Sequence, residues 1–104
     1  MIVDISIYGL KVDIEIVADT VGNFVKFHDD MVDIDAVEFV DQIKDIVEFW
    51  PPLLENVGIR DGSNYTVKLI DGVNEKVFKG KNKYPNNYND FISLVNKVQY
   101  ANKK

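Results

Sequence analysis

The chain has 104 residues, no cysteine and a formal net charge of −5. That length suits one domain, residues 1–104, able to bury a core unaided. The missing cysteine excludes disulfides, thiolate metal sites and cysteine nucleophiles. Net acidity argues against direct docking on duplex nucleic acid, whose affinity comes largely from lysine and arginine on phosphates.

The first segment, Ile2 to Tyr8, alternates Val3, Ile5 and Ile7 against Asp4, Ser6 and Tyr8, the period of a half-buried strand. It has no basic region ahead of an apolar run, so it reads as a strand and not as a signal peptide. Gly9-Leu10 predicts a tight turn, and Val12, Ile14, Ile16 and Ala18 then line one face of a second strand. Val21-Gly22-Asn23 is a second turn and Phe24 to His28 a third, shorter strand, completing an antiparallel meander. The polar set from His28 to Asp33 leads into the best-marked element, Asp35 to Trp50. Its apolar stripe is Val37, Val40, Ile43, Val47 and Trp50, widened by Ala36, Phe39 and Ile46, at the three- and four-residue steps of an α-helix. Asp35 with Glu38 has the form of a capping box, and Ile34 with Phe39 that of a hydrophobic staple. Pro51 stops the helix at Trp50 or kinks it there.

Leu53 and Leu54 then predict a short helical turn capping the core and ending near Asn56 to Gly58, with Asp61-Gly62 as a turn. Tyr65, Val67 and Leu69 alternate in a fourth strand; Asp71-Gly72 offers a two-residue hairpin turn, which Asn74-Glu75 would lengthen; Lys76 to Lys81 is a fifth strand. A final helix follows, with Asn87 as its cap, Tyr88 at its start and Phe91, Leu94, Val95 and Val98 on its apolar face. The expected fold class is α+β: an antiparallel sheet of about five strands, β-β-β-α-β-β-α, with two helices packed on it.

Asp61-Gly62, Tyr65-Thr66-Val67, the run Gly80-Lys81-Asn82-Lys83-Tyr84-Pro85-Asn86-Asn87-Tyr88 and Phe91 together resemble a tail found in a small family of proteins from low-GC bacteria and their mobile elements. The resemblance covers about the last 40 residues. It implies a hairpin followed by an amphipathic helix and carries no activity. Local chemistry explains the same motif: Gly80 ends the strand, Asn82 bonds turn backbone and Pro85 stiffens the approach to the helix.

Charge is unevenly spread. Residues 1–61 hold 14 acids against Lys11, Lys26, Lys44 and Arg60, whereas residues 62–104 hold three acids against eight lysines. Either the halves pack so that their charges meet, or the acidic half faces a basic partner. Glu38, Asp41, Asp45 and Glu48 follow one another along the helix flank opposite the apolar stripe, interrupted only by Lys44. Asp41 and Asp45 form a like-charge i, i+4 pair, which costs about 0.2–0.5 kcal/mol. A solvated face is the commoner cause; a docking surface for a basic protein, extended by Asp33 or Asp35, is the sharper one.

Other constellations are weaker. His28, Asp29, Asp30, Asp33 and Asp35 lack the spacing of a calcium loop and read as solvated carboxylates near a helix N-terminus. One histidine, and serines only at positions 6, 63 and 93, give no nucleophile with its base. Lys79, Lys81, Lys83, Tyr84 and Tyr88 could stack and neutralise a nucleotide, or simply protect a sheet edge. The expectation is therefore a non-catalytic, cytoplasmic, acidic protein-binding module, an inhibitor of a basic effector. It needs no cofactor or metal, has no membrane span, and is compatible with a homodimer. Phage anti-defence (anti-CRISPR-like) and toxin-immunity proteins share its size and charge, an analogy only. A small-ligand or nucleotide binder using Lys79 to Tyr88 is the alternative.

Overall fold

The computed structural model describes residues 1–9, 13–56 and 63–102. In chain order the elements are β1 (Ile2–Tyr8), β2 (Asp13–Asp19), β3 (Phe24–Phe27), β4 (Asp30–Val32), α1 (Ala36–Val47), β5 (Leu53–Glu55), β6 (Asn64–Asp71), β7 (Asn74–Lys81) and α2 (Tyr88–Asn102). The seven strands form one mixed sheet ordered β4-β3-β2-β1-β6-β7-β5. All neighbours are antiparallel except β5, which runs parallel to β7.

The α+β class and two helices hold, but the sheet has seven strands and not five, and it is mixed. The first extra strand, β4, turns back from β3 through His28 and Asp29, a hairpin hidden by its acidic residues. The second, β5, replaces the helical turn expected at Leu53 and Leu54. Two prolines keep the chain extended there, and the backbone of Pro52 and Asn56 bonds to Lys79 and Lys81 along the edge of β7. Leu53 does not cap the core: it is 57% exposed.

β1 lies at the centre because its alternation is the cleanest. Val3, Ile5 and Ile7 are buried, and every residue of the strand pairs with both β2 and β6. The same parity continues through Ile14, Ile16 and Ala18 of β2, Val25 and Phe27 of β3, and Tyr65, Val67 and Leu69 of β6. All these side chains share one face of the sheet, and both helices cover it. Val12 and the Asp61-Gly62 turn lie outside the described residues, as do parts of the turns expected at Gly9-Leu10 and near Gly58.

α1 begins where the capping pattern put it: the Asp35 carboxylate accepts from the Glu38 backbone N–H at 3.1 Å. Ala36, Phe39, Val40, Ile43 and Val47 are buried, whereas Val37, assigned to the stripe, is half exposed. Val37 shares the flank of Asp41, one turn on, and so turns outward. The helix ends at Val47, three residues before Trp50. The Asp71-Gly72 turn is displaced by one residue: Asp71 pairs with Asn74, so Gly72 and Val73 are its two loop residues. Gly72 supplies the positive φ, +61°, that the first position of a II′ hairpin turn requires.

Gly80 does not end its strand. It sits within β7, buried, opposite Tyr65 on β6, and a Cβ there would fall inside the Tyr65 ring. The glycine is the space the ring occupies.

Ile43 is fully buried and Asp41 exposed, two positions apart on one helix. In denaturant unfolding, Ile43→Ala is expected to cost about 2–5 kcal/mol, and Asp41→Ala to change stability little. Equal, small losses at both would contradict this packing.

Candidate functional site

Two neighbouring features on the helix-bearing side form the candidate site: the outer flank of α1 and a cleft at its C-terminal end. Glu38, Asp41, Asp45 and Glu48 are all exposed on that flank. Among the described residues none of the four carboxylates forms an ion pair. Asp33 and Asp35 join Glu38 around a small depression of about 200 Å³ that Lys97 of α2 also borders. Lys44 and Lys76 border the other end, beside Asp45 and Glu48. The row is thus continuous along α1, with lysines at its margins.

Two apolar residues share this surface. Val37 stands at one end and Phe49, 89% exposed, at the other. Phe49 borders a cleft of about 450 Å³ whose lining includes Ile46, Trp50, Leu54, Tyr84 and Pro85, with Asp45 and Lys83 among its polar members. Sequence reasoning missed this cleft. Its one local signal was Phe49, a large apolar residue off the helical stripe immediately before Trp50 and two prolines.

The cleft floor is built on Trp50. Pro51 halts the helix, and the Trp50 backbone N–H bonds to the Val47 carbonyl at 3.0 Å in a tightened last turn. That leaves the Ile46 carbonyl without its helical partner. Asn87 supplies one: its amide Nδ2 donates to the Ile46 carbonyl at 2.8 Å, and its Oδ1 accepts from the Trp50 indole N–H at 2.6 Å. Asn87 does stand at the start of α2, its carbonyl accepting from the Asp90 and Phe91 N–H groups, but its side chain caps α1. The Trp50 ring meets Tyr65, Phe78 and Phe91 edge-on, with centroids 5.3–6.4 Å away. Such aromatic pairs add stability beyond the area they bury.

Tyr84 and Tyr88 extend this cluster, their ring centroids 4.6 Å apart. The Tyr84 hydroxyl bonds to Ser63 on both its backbone and its side chain. The hydroxyls of Tyr65 and Tyr88 are buried without a hydrogen-bond partner among the described residues. Burial pushes the Tyr88 phenol up to about 12, helped by Tyr84 and Tyr65 and opposed weakly by nearby Ser63; burial raises Tyr65 in the same direction.

The basic–aromatic segment is divided. Lys79 and Lys81 alternate with buried Gly80 and lie on the uncovered face of the sheet. Lys83 and Tyr84 line the cleft, while Tyr88 is half buried in the aromatic cluster. The acidic loop is divided as well: His28 and Asp29 make the β3–β4 turn, and Asp33 and Asp35 approach α1. Among the described residues no group of three His, Asp or Glu side chains has the arrangement of a metal site. Nor is any described helix long and apolar enough to cross a membrane. No family model, curated protein or solved structure matches the chain.

Asn87→Ala would strand the buried indole N–H and the Ile46 carbonyl. The expected loss is about 1–3 kcal/mol per stranded group, read by chemical denaturation, with a shift in Trp50 fluorescence. A variant as stable as wild type would remove the capping role.

Tyr88 also sets an alkaline limit. The phenol is neutral when protonated, so a raised folded pKa means the unfolded chain loses the proton first. This contribution is complete below the ordinary value of 10.0 and lost as pH rises to about 12. Thermal unfolding followed across that window should fall more steeply for wild type than for Tyr88→Phe. Parallel curves would exclude Tyr88 as the cause.

Proposed function

We propose that the chain is a non-catalytic binding module that docks through the α1 flank on a basic protein, acting there as an inhibitor. The carrying observation is the unpaired row Glu38, Asp41, Asp45 and Glu48, exposed along one helix flank with apolar Val37 and Phe49 at its ends. A row of like charge repels itself, and a cationic surface relieves that repulsion. Charges of this kind steer encounter and select partners, while buried apolar anchors supply much of the affinity. Asp33 and Asp35 extend the row past Glu38. A phage anti-defence or toxin-immunity role, in the cytoplasm, is the setting we favour on size, acidity and the lack of cysteine.

The second reading is a small-ligand binder, favoured by one observation: Lys83 and Tyr84 line the cleft beside Trp50. The experiment that separates the two is capture of binding proteins from cell lysate on the immobilised chain, at low and high salt. Asp41→Lys combined with Asp45→Lys should leave folding intact and reduce capture by roughly tenfold or more at low salt, with wild-type capture itself weakening as salt rises. Lys83→Glu with Tyr84→Ala should matter less. Capture lost with the cleft pair and untouched by the aspartate pair would replace docking with ligand binding.

A further inference from the structure

The helices cover one face of the sheet and leave the other open. Strand register assigns the residues on that open face row by row. One row reads Glu15, Ser6, Thr66, Lys79 across β2, β1, β6 and β7; the next reads Asp13, Tyr8, Asn64, Lys81. A third reads Val17, Asp4, Lys68, Val77, and a fourth Asp19, Ile2, Ile70, Glu75. The β2–β1 half of the face is thus acidic, with Asp13, Glu15, Asp19 and Asp4. The β6–β7 half is basic, with Lys68, Lys79 and Lys81 against Glu75. In the Glu15 and Asp13 rows the acidic and basic ends, Glu15 and Lys79, Asp13 and Lys81, are three strands apart within one chain. At about 4.8 Å per strand they cannot pair with each other. Asp4 and Lys68, by contrast, are cross-strand neighbours on β1 and β6.

We propose that this open face is a homodimer interface, in which two copies stack sheet on sheet about a twofold axis parallel to the strands, between β1 and β6. Such an axis turns the sheet over and exchanges its halves while keeping each row in place. β2 of one copy then lies over β7 of the other, and β1 over β6. Glu15 meets the second copy's Lys79, Asp13 its Lys81, and Asp4 its Lys68. The apolar positions match too: Val17 falls on Val77 and Ile2 on Ile70, and all four are already half buried in the single chain. Only Asp19 meets a like charge, Glu75, at the margin of the face. Every favourable pair occurs twice, because the contact is isologous.

Glu15 accepts a hydrogen bond from the Tyr8 hydroxyl at 2.8 Å through one oxygen, which orients the carboxylate and leaves the other free. Aligned sheets pack about 10 Å apart with strands about 30° off parallel, a gap that lysine side chains span. With β3 of one copy over β5 of the other, the six strands from β3 to β5 present a face on the order of 600 Å² per copy, from about 3.4 Å per residue and 4.8 Å per strand. These margins place Lys26 beside the acidic half and Glu55 beside the basic half. That is the lower end of stable interfaces, roughly 1,200–2,000 Å² in total. A partner of uniform charge would satisfy half of this face and oppose the other half; a second copy satisfies both. The contact uses the side of the sheet opposite α1, so it is independent of the acidic docking row.

Sedimentation velocity through the micromolar range is the test, with far-ultraviolet circular dichroism as the check on folding. Wild type should shift from monomer to dimer with concentration. Glu15→Lys alone and Lys79→Glu alone should each weaken the dimer by roughly tenfold, since each reversal spoils two symmetry-related pairs. An equimolar mixture of the two variants should re-form it, because each then meets its complement, a rescue that a merely misfolded chain would not show. Asp41→Lys with Asp45→Lys should leave the dimer intact. A wild-type monomer at every concentration, a dimer indifferent to both single reversals, or one dissociated by the Asp41 and Asp45 changes would each overturn the proposal.

Discussion

The constraint on which the arrangement turns is the end of α1. A helix stopped by two prolines leaves carbonyls that its own backbone cannot satisfy, and the indole beside them carries a buried N–H. One asparagine answers both demands, because its amide has a donor and an acceptor. Asn87 reaches Ile46 and Trp50 from a position more than thirty residues later, so the start of α2 is set against the finish of α1. From there α2 can run back beside α1 towards β3 and β4. Fixing Trp50 also fixes the aromatic cluster, since Tyr65, Phe78, Tyr88 and Phe91 all pack on its ring. The missing Cβ of Gly80 belongs to the same solution, because it leaves the space on β7 that the Tyr65 ring occupies.

This packing consumes one side of the sheet entirely and the other not at all. Among the described residues no charged side chain is buried. Charge is therefore expressed on surfaces, and its uneven distribution along the chain becomes a distribution between faces. The outer flank of α1 is acidic. The open sheet face is acidic on β2 and basic on β7. Of the lysines after residue 62, Lys68, Lys79 and Lys81 lie on the opposite side of the sheet, while Lys76 and Lys97 border the α1 row at its margins.

Much of this was legible in the residues. Two-residue alternation marked β1, β2 and β6, turn residues marked off β3 and β7, and helical spacing marked α1 and α2, because each buries one face against the same core. The three-residue strands were not legible. Asp30–Val32 is too short for a period to appear, and Leu53–Glu55 reads as core because two leucines stand together. Its strand character comes from a free edge on β7 that only the assembled sheet presents. Val37 misled for a related reason: an apolar residue at helical spacing can lie just beyond the buried arc. Of the candidate site, the acidic row could be read from spacing along one helix. The cleft could not, since Phe49 and Tyr84 are brought together only by the Trp50–Asn87 contact.

The parallel edge strand carries a consequence for the order of events in folding. β1, β2 and β3 form by local hairpins, and β6 meets β7 through a two-residue turn. β5 has no local partner: it precedes β7 by about a full hairpin, and its bonds exist only once β7 has been laid against β6. Closing that longer loop yields only three residues of pairing and little apolar burial, so loop entropy places it late on the folding route. The same balance makes it an early segment to open in the native state. Amide exchange should then be faster at the Pro52–Lys79 and Lys81–Asn56 bonds than along β1, with the edge of β7 bared transiently while the core stays shut.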